Sequence, residues 1–72
     1  MNTNNIRAIR KSKKLTIPEL SKRSGVSEPM IKVLESGEYD IMNSKLETLV
    51  KIAKALNTKV SKIVNEEERK YL

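Results

Sequence analysis

The stretch from Thr16 to Ser36, TIPELSKRSGVSEPMIKVLES, constrains the chain more than any other. Thr16 and Ser27 each stand ahead of a short run that suits a helix, and a hydroxyl at that place caps the free amides of the first turn. Glu19 follows Thr16 by three residues, which completes the capping-box pattern. Gly25 lies where a first helix must end and the backbone must take a positive φ, a conformation open to Gly without a Cβ penalty. The spacing therefore predicts two short helices joined by a tight turn. Their inward side would hold Leu20, Ser24, Val26, Ile31 and Leu34, with small Ser21 where the two helices come closest.

Ser21, Gly25, Val26, Ile31 and Leu34 stand in the order in which the Cro/C1-type (XRE-like) transcriptional regulators place a small residue, a Gly four positions on, an apolar plug and two branched apolar residues. The stretch thus resembles the helix-turn-helix of that family. The resemblance implies an all-α fold, a compact five-helix lambda-repressor-like DNA-binding domain in which helices 2 and 3 form the helix-turn-helix. It extends over about residues 4–64. The whole of 1–72 then reads as a single helix-turn-helix domain with a charged extension at 65–72.

Composition narrows the chemistry. Seventy-two residues leave little core to spare. Neither Cys nor His occurs, so disulfides, thiolate or imidazole metal sites and imidazole acid–base chemistry are excluded. No nucleophile–base pair or phosphate-cradling Gly loop appears, which sets aside an enzyme, and no cofactor is expected. Tyr39 and Tyr71 are the only aromatics, too few for a base-stacking single-strand binder. No apolar run approaches the ~20 residues of a membrane span, and no signal-peptide core is visible. The expectation is a cytoplasmic protein without a membrane partner. Net charge is +6; residues 1–36 carry eight Lys and Arg against three acids, and residues 37–72 seven against six. A basic N-terminal half suits a polyanion, although solubility alone also accounts for such a charge.

Ahead of the motif, Ile6 and Ile9 recur at helical spacing, with Ala8 and Leu15 adding apolar surface, so residues 4–13 read as helix with Thr3 or Asn4 as cap. After Gly37, residues 38–43 form a loop that is acidic at Glu38 and Asp40, longer than the family's and lacking its usual cations. Ser44-Lys-Leu-Glu47 repeats the capping-box pattern and predicts a fourth helix. Leu46, Leu49, Val50, Ala53 and Leu56 would form its inward stripe, with Lys45, Lys51 and Lys54 outside. Asn57 can end that helix in the left-handed region. Val60, Ile63 and Val64 suggest a short fifth helix, and 65–72 is either its solvated continuation or a loose tail.

The resemblance also assigns roles. An Arg of the first helix commonly pairs with a Glu near the end of the third, and Arg10 and Glu35 hold those places as a structural ion pair. The third helix would enter the major groove with Ser27, Glu28, Pro29, Met30, Lys32 and Val33 toward the bases. Thr16 and Ile17 would meet phosphate at the start of the second helix, where relatives often carry Gln. Lys13, Lys14, Asn43 and Lys45 complete the expected DNA contacts, and Asn57, Thr58 and Val60 the dimer interface. Several of these residues are poor donors. With Thr16 and Ser27 as caps, Pro18 and Pro29 fall at the second helical position and remove an amide each, while Glu19 and Glu28 bring negative charge to the same ends.

Two functions therefore stand side by side. The first is a sequence-specific double-stranded DNA-binding transcriptional regulator, a repressor of bacterial, phage or mobile-element type, bound as a homodimer to an inverted repeat. The second is a protein-interaction module, antitoxin-like or an inhibitor or accessory factor, which docks a protein partner on the apolar residues of the same scaffold.

Overall fold

The computed structural model describes residues 4–37 and 44–64. The acidic loop at 38–43, Asn43 within it, Thr3 and the extension at 65–72 lie outside the described residues. Five helices follow one another: α1 Ile6–Ser12, α2 Ile17–Ser24, α3 Glu28–Ser36, α4 Leu46–Ala55 and α5 Val60–Ile63. Among the described residues there is no strand, only an isolated antiparallel bridge between Asn4 and Val64.

That bridge shortens α1 relative to the 4–13 expected. The Asn5 amide donates to the Ile63 carbonyl at 2.6 Å, and its side-chain amide donates to the Lys62 carbonyl at 3.1 Å. Both groups of Asn5 thus tie the start of the chain to the end of α5. The residue at the cap of α1 is Asn5, neither of the two expected, and it makes no side-chain cap bond; Asn4, one residue earlier, accepts from the Ile6 amide at 3.0 Å through Oδ1.

Two helices end in the same way. After α1 the Leu15 amide reaches back to the Arg10 carbonyl and the Lys14 amide to Lys11, with Lys14 at φ 58°. After α4 the Thr58 amide reaches Ala53 and the Asn57 amide reaches Lys54, with Asn57 at φ 55°. These are Schellman closures, which satisfy the last carbonyls by turning one residue left-handed. Asn57 was readable as such a residue because Asn tolerates that region. Lys14 was not, since Lys carries no such preference.

The motif helices start as the sequence predicts. Thr16 Oγ1 accepts from the Glu19 amide at 3.2 Å and Glu19 Oε1 accepts from the Thr16 amide at 2.9 Å, a closed capping box. Ser27 Oγ accepts from the Met30 amide at 3.3 Å. Gly25 sits at φ 75° and Val26 is buried behind it, its amide donating to Ser24 Oγ at 3.1 Å. Gly37 ends α3 at φ 80°.

The start of α4 corrects the sequence reading. Lys45, not Ser44, precedes the first helical residue, and no side-chain cap bond forms there. Ser44 Oγ is buried and without a hydrogen-bond partner. The start is one residue later than the capping-box pattern requires, so the hydroxyl faces no free amide. The inward stripe shifts as well. Leu46 is 67% exposed, Val50 is half-buried, and Ile52 is fully buried beside Leu49, Ala53 and Leu56. At the first helical position a side chain tilts toward the N-terminus, away from the packed turns that follow. The i, i+3, i+4, i+7 count thus starts at Leu49.

The core is one cluster: Ile6 and Leu15 from α1 and its turn, Leu20 from α2, Val26, Ile31 and Leu34 from the turn and α3, the α4 stripe, and Ile63 with Val64. α2 packs against α3 and α4, α4 against α5, and α1 against α3. Helix α3 is therefore packed against α1 and α2, the two helices that precede it.

Candidate nucleic-acid interface

Helix α3 is pinned from inside at three places. Ile31 and Leu34 are fully buried. Arg10 Nε donates to Glu35 Oε2 at 2.7 Å and Nη2 donates to Oε1 at 3.0 Å, so the bridge predicted from the resemblance is present and bidentate. Its two side chains are only 9% and 7% exposed. The third guanidinium nitrogen, Nη1, donates to the Leu15 carbonyl at 2.8 Å. Arg10 thereby joins α3 to the turn after α1, and hydrogen bonding to Glu35 raises its pKa further above an already basic value. Asn4 Nδ2 donates to the Leu34 carbonyl at 2.7 Å, next to this bridge.

The outer side carries what this anchoring presents. Glu28, Pro29, Met30, Lys32 and Val33 are all exposed, Met30 by 43% and Val33 by 45%. Pro29 and Val33 are four residues apart and share one stripe, with Met30 and Lys32 on either side of it. Ile31 and Leu34 lie on the opposite face.

The N-terminus of α2 is less open to phosphate than that of a bare helix. Pro18 has no amide, and the Glu19 amide is held by Thr16. The Glu19 carboxylate stays ionised to a lower pH than usual, chiefly because the Thr16 amide donates to it and then because of the Thr16 hydroxyl. Ile17, expected to meet phosphate, is half-buried against the core.

Charge divides between two depressions. A cleft of about 210 Å³ is lined by Arg7, Arg10, Ile17, Lys32, Glu35 and Ser36, between α1, the start of α2 and α3. Lys32 thus shares this cleft with Arg7, an exposed cation that the sequence analysis did not single out. The i, i+3 spacing of Arg7 and Arg10 was the signal for it, because Arg10 had already been placed beside α3. A shallower groove of about 460 Å³ holds Lys13, Asn57 and Thr58 together with Ile9 and Lys62. Lys13 consequently faces the end of α4 instead of joining Lys32. Lys14 and Lys45 are exposed. Thr58 borders the groove beside Asn57, whereas Val60 packs partly onto the core.

The chain matches the family model described as Helix-turn-helix over residues 6–63. It belongs to the Cro/C1-type helix-turn-helix family. This helix-turn-helix protein is a DNA-binding regulator in general character, of a family that is not typically enzymatic. No curated protein matches it. Among the described residues no helix is long and apolar enough to cross a membrane.

Proposed function

We propose that this helix-turn-helix protein is a sequence-specific double-stranded DNA-binding transcriptional regulator, a repressor of bacterial, phage or mobile-element type acting in the cytoplasm. The observation that carries the reading is the presentation of α3. Its inner face is clamped by the core, the Arg10–Glu35 bridge and Asn4, while Glu28, Pro29, Met30, Lys32 and Val33 stand exposed on the outer side, with Arg7 beside Lys32. In this reading the outer residues meet base edges in the major groove, Thr16 and Ile17 approach phosphate, and Lys14, Asn43 and Lys45 add backbone contacts. One α3 spans only a short half-site, so a homodimer on an inverted repeat is the natural binding unit. Asn57, Thr58 and Val60 are the proposed dimer contacts, and Lys13 borders that region.

A mobility-shift assay with sheared genomic DNA tests the reading. A retarded fragment at low salt whose affinity falls steeply as salt rises supports it. No retarded fragment at low salt removes it.

One observation favours a second reading. Met30 and Val33 are exposed next to each other, and apolar patches ringed by charge often contact proteins. The protein would then be an antitoxin-like module, inhibitor or accessory factor. Met30→Asp discriminates: loss of a co-purifying protein with DNA retention unchanged supports this second function.

A further inference from the structure

We infer that this chain reads its operator through the 5-methyl groups of pyrimidines in the major groove, with Val33, Met30 and Pro29 as the reading side chains. The inference rests on the proposed double-stranded DNA-binding function and names what that surface recognises.

Helix α3, EPMIKVLES, contains no Arg, Asn or Gln, the side chains that grip a guanine or an adenine by two hydrogen bonds. Its inward residues are engaged in the core and in the Arg10–Glu35 bridge. Lys32 lines the cleft with Arg7 and Arg10, a place that suits a phosphate better than a base edge. Three apolar side chains are left on the outer stripe, joined at the first position by Glu28, which can accept from a cytosine or adenine amino group.

Apolar atoms pressed against the hydrogen-bonding edge of a base strip it of water and give nothing in return. The exception is the methyl on C5 of thymine, the only apolar group that unmodified base pairs display in the major groove. A methylated cytosine displays the same group at the same position. Val33 is suited to a fixed contact, because a β-branched side chain on a helix is held largely to one rotamer. Met30 is unbranched and adjusts to the neighbouring step. The poor hydrogen-bonding quality of α3 is thus a specificity of its own.

The test uses a duplex of about 20 base pairs, enough for two half-sites, selected from a random pool by the purified chain. The same duplex is made with deoxyuridine for thymidine, and separately with 5-methylcytosine for cytosine, and affinities are read by fluorescence anisotropy. Deoxyuridine should weaken binding by about fourfold per contacted methyl, the worth of burying one such group. Tightening on the 5-methylcytosine duplex instead would place the methyl on cytosine. Val33→Ala and Met30→Ala should lose affinity on the thymidine duplex and little more on the deoxyuridine one, a dependence that a structural or phosphate-binding role does not produce. Equal affinity for all three duplexes overturns the inference while leaving DNA binding intact. So does a surface whose alanine variants change only self-association in sedimentation. Retention of no duplex at low salt overturns the DNA-binding function and this inference with it.

Discussion

The two sides of α3 meet different surroundings. On the inner side Ile31 and Leu34 are fully buried and Glu35 is held by two hydrogen bonds from Arg10. On the outer side Met30 and Val33 are nearly half exposed, and Pro29 is exposed. One stretch of nine residues therefore answers two separate demands. The inner side answers to the core, where volume and pairing are fixed by the residues packed there and by Arg10 of α1. The outer side answers only to what it will meet. Substitutions should consequently fall into two classes, with stability changed by one side and binding by the other.

The largest contrast is expected between Leu34→Ala and its neighbour Val33→Ala. Truncating a fully buried Leu costs about 3–4 kcal/mol from lost transfer energy and the cavity left behind. A domain of this size has roughly 4–10 kcal/mol in total, so Leu34→Ala should be largely unfolded at moderate urea. Val33→Ala, one residue away and exposed, should stay within about 0.5 kcal/mol of the parent. Urea titrations followed by circular dichroism read both. Equal losses would show that the outer side is as much a part of the core as the inner one.

The next effect is at the bridge. Arg10→Met leaves the largely buried Glu35 side chain without a countercharge and frees the Leu15 carbonyl, for a loss of about 3 kcal/mol. Adding Glu35→Leu removes the stranded charge and should recover most of that loss, because an ion pair taken out of water contributes little beyond an apolar pair of similar volume. Thermal melting of the single and double variants decides it. A double variant no more stable than Arg10→Met would show that the bridge itself holds α3. An Arg10→Met variant that melts and binds DNA like the parent would show that it holds nothing.

The inner side was also the side that could be read from the residues alone. Thr16, Ser27, Gly25 and Asn57 act through the backbone next to them, so their types announce the caps and turns they make. Leu20, Ile31 and Leu34 follow from their helical spacing, and Val26 from its place directly after the Gly25 turn. What failed depended on longer-range geometry. Leu46 belongs to the periodic stripe by spacing, yet it stands at a helix end that the core does not reach. Lys14 takes a left-handed turn because Leu15 must enter the core and the Arg10 carbonyl needs a donor, reasons that lie in its neighbours. Lys13 and Lys32 look alike as members of a basic half. Helix phase and the path of α1 send them to different depressions.

The smallest effects test whether a capping pattern means a cap. TIPE at 16–19 and SKLE at 44–47 look equivalent, but only the first closes. Thr16→Ala should cost about 1 kcal/mol at neutral pH. Ser44→Ala should cost almost nothing or add slightly, since it removes a buried hydroxyl that has no partner. Acid separates the two sites further. The Glu19 carboxyl titrates below its ordinary 4.5 because the folded state favours the charged form. Its contribution is therefore complete above that value and is lost as pH falls through the depressed folded pKa. In Glu19→Gln that part of the acid loss should be absent, and the gap between parent and Thr16→Ala should narrow from pH 7 to pH 3. A gap for Ser44→Ala as wide as that for Thr16→Ala would mean that the start of α4 is capped after all, by a hydroxyl whose neighbours rearrange in solution.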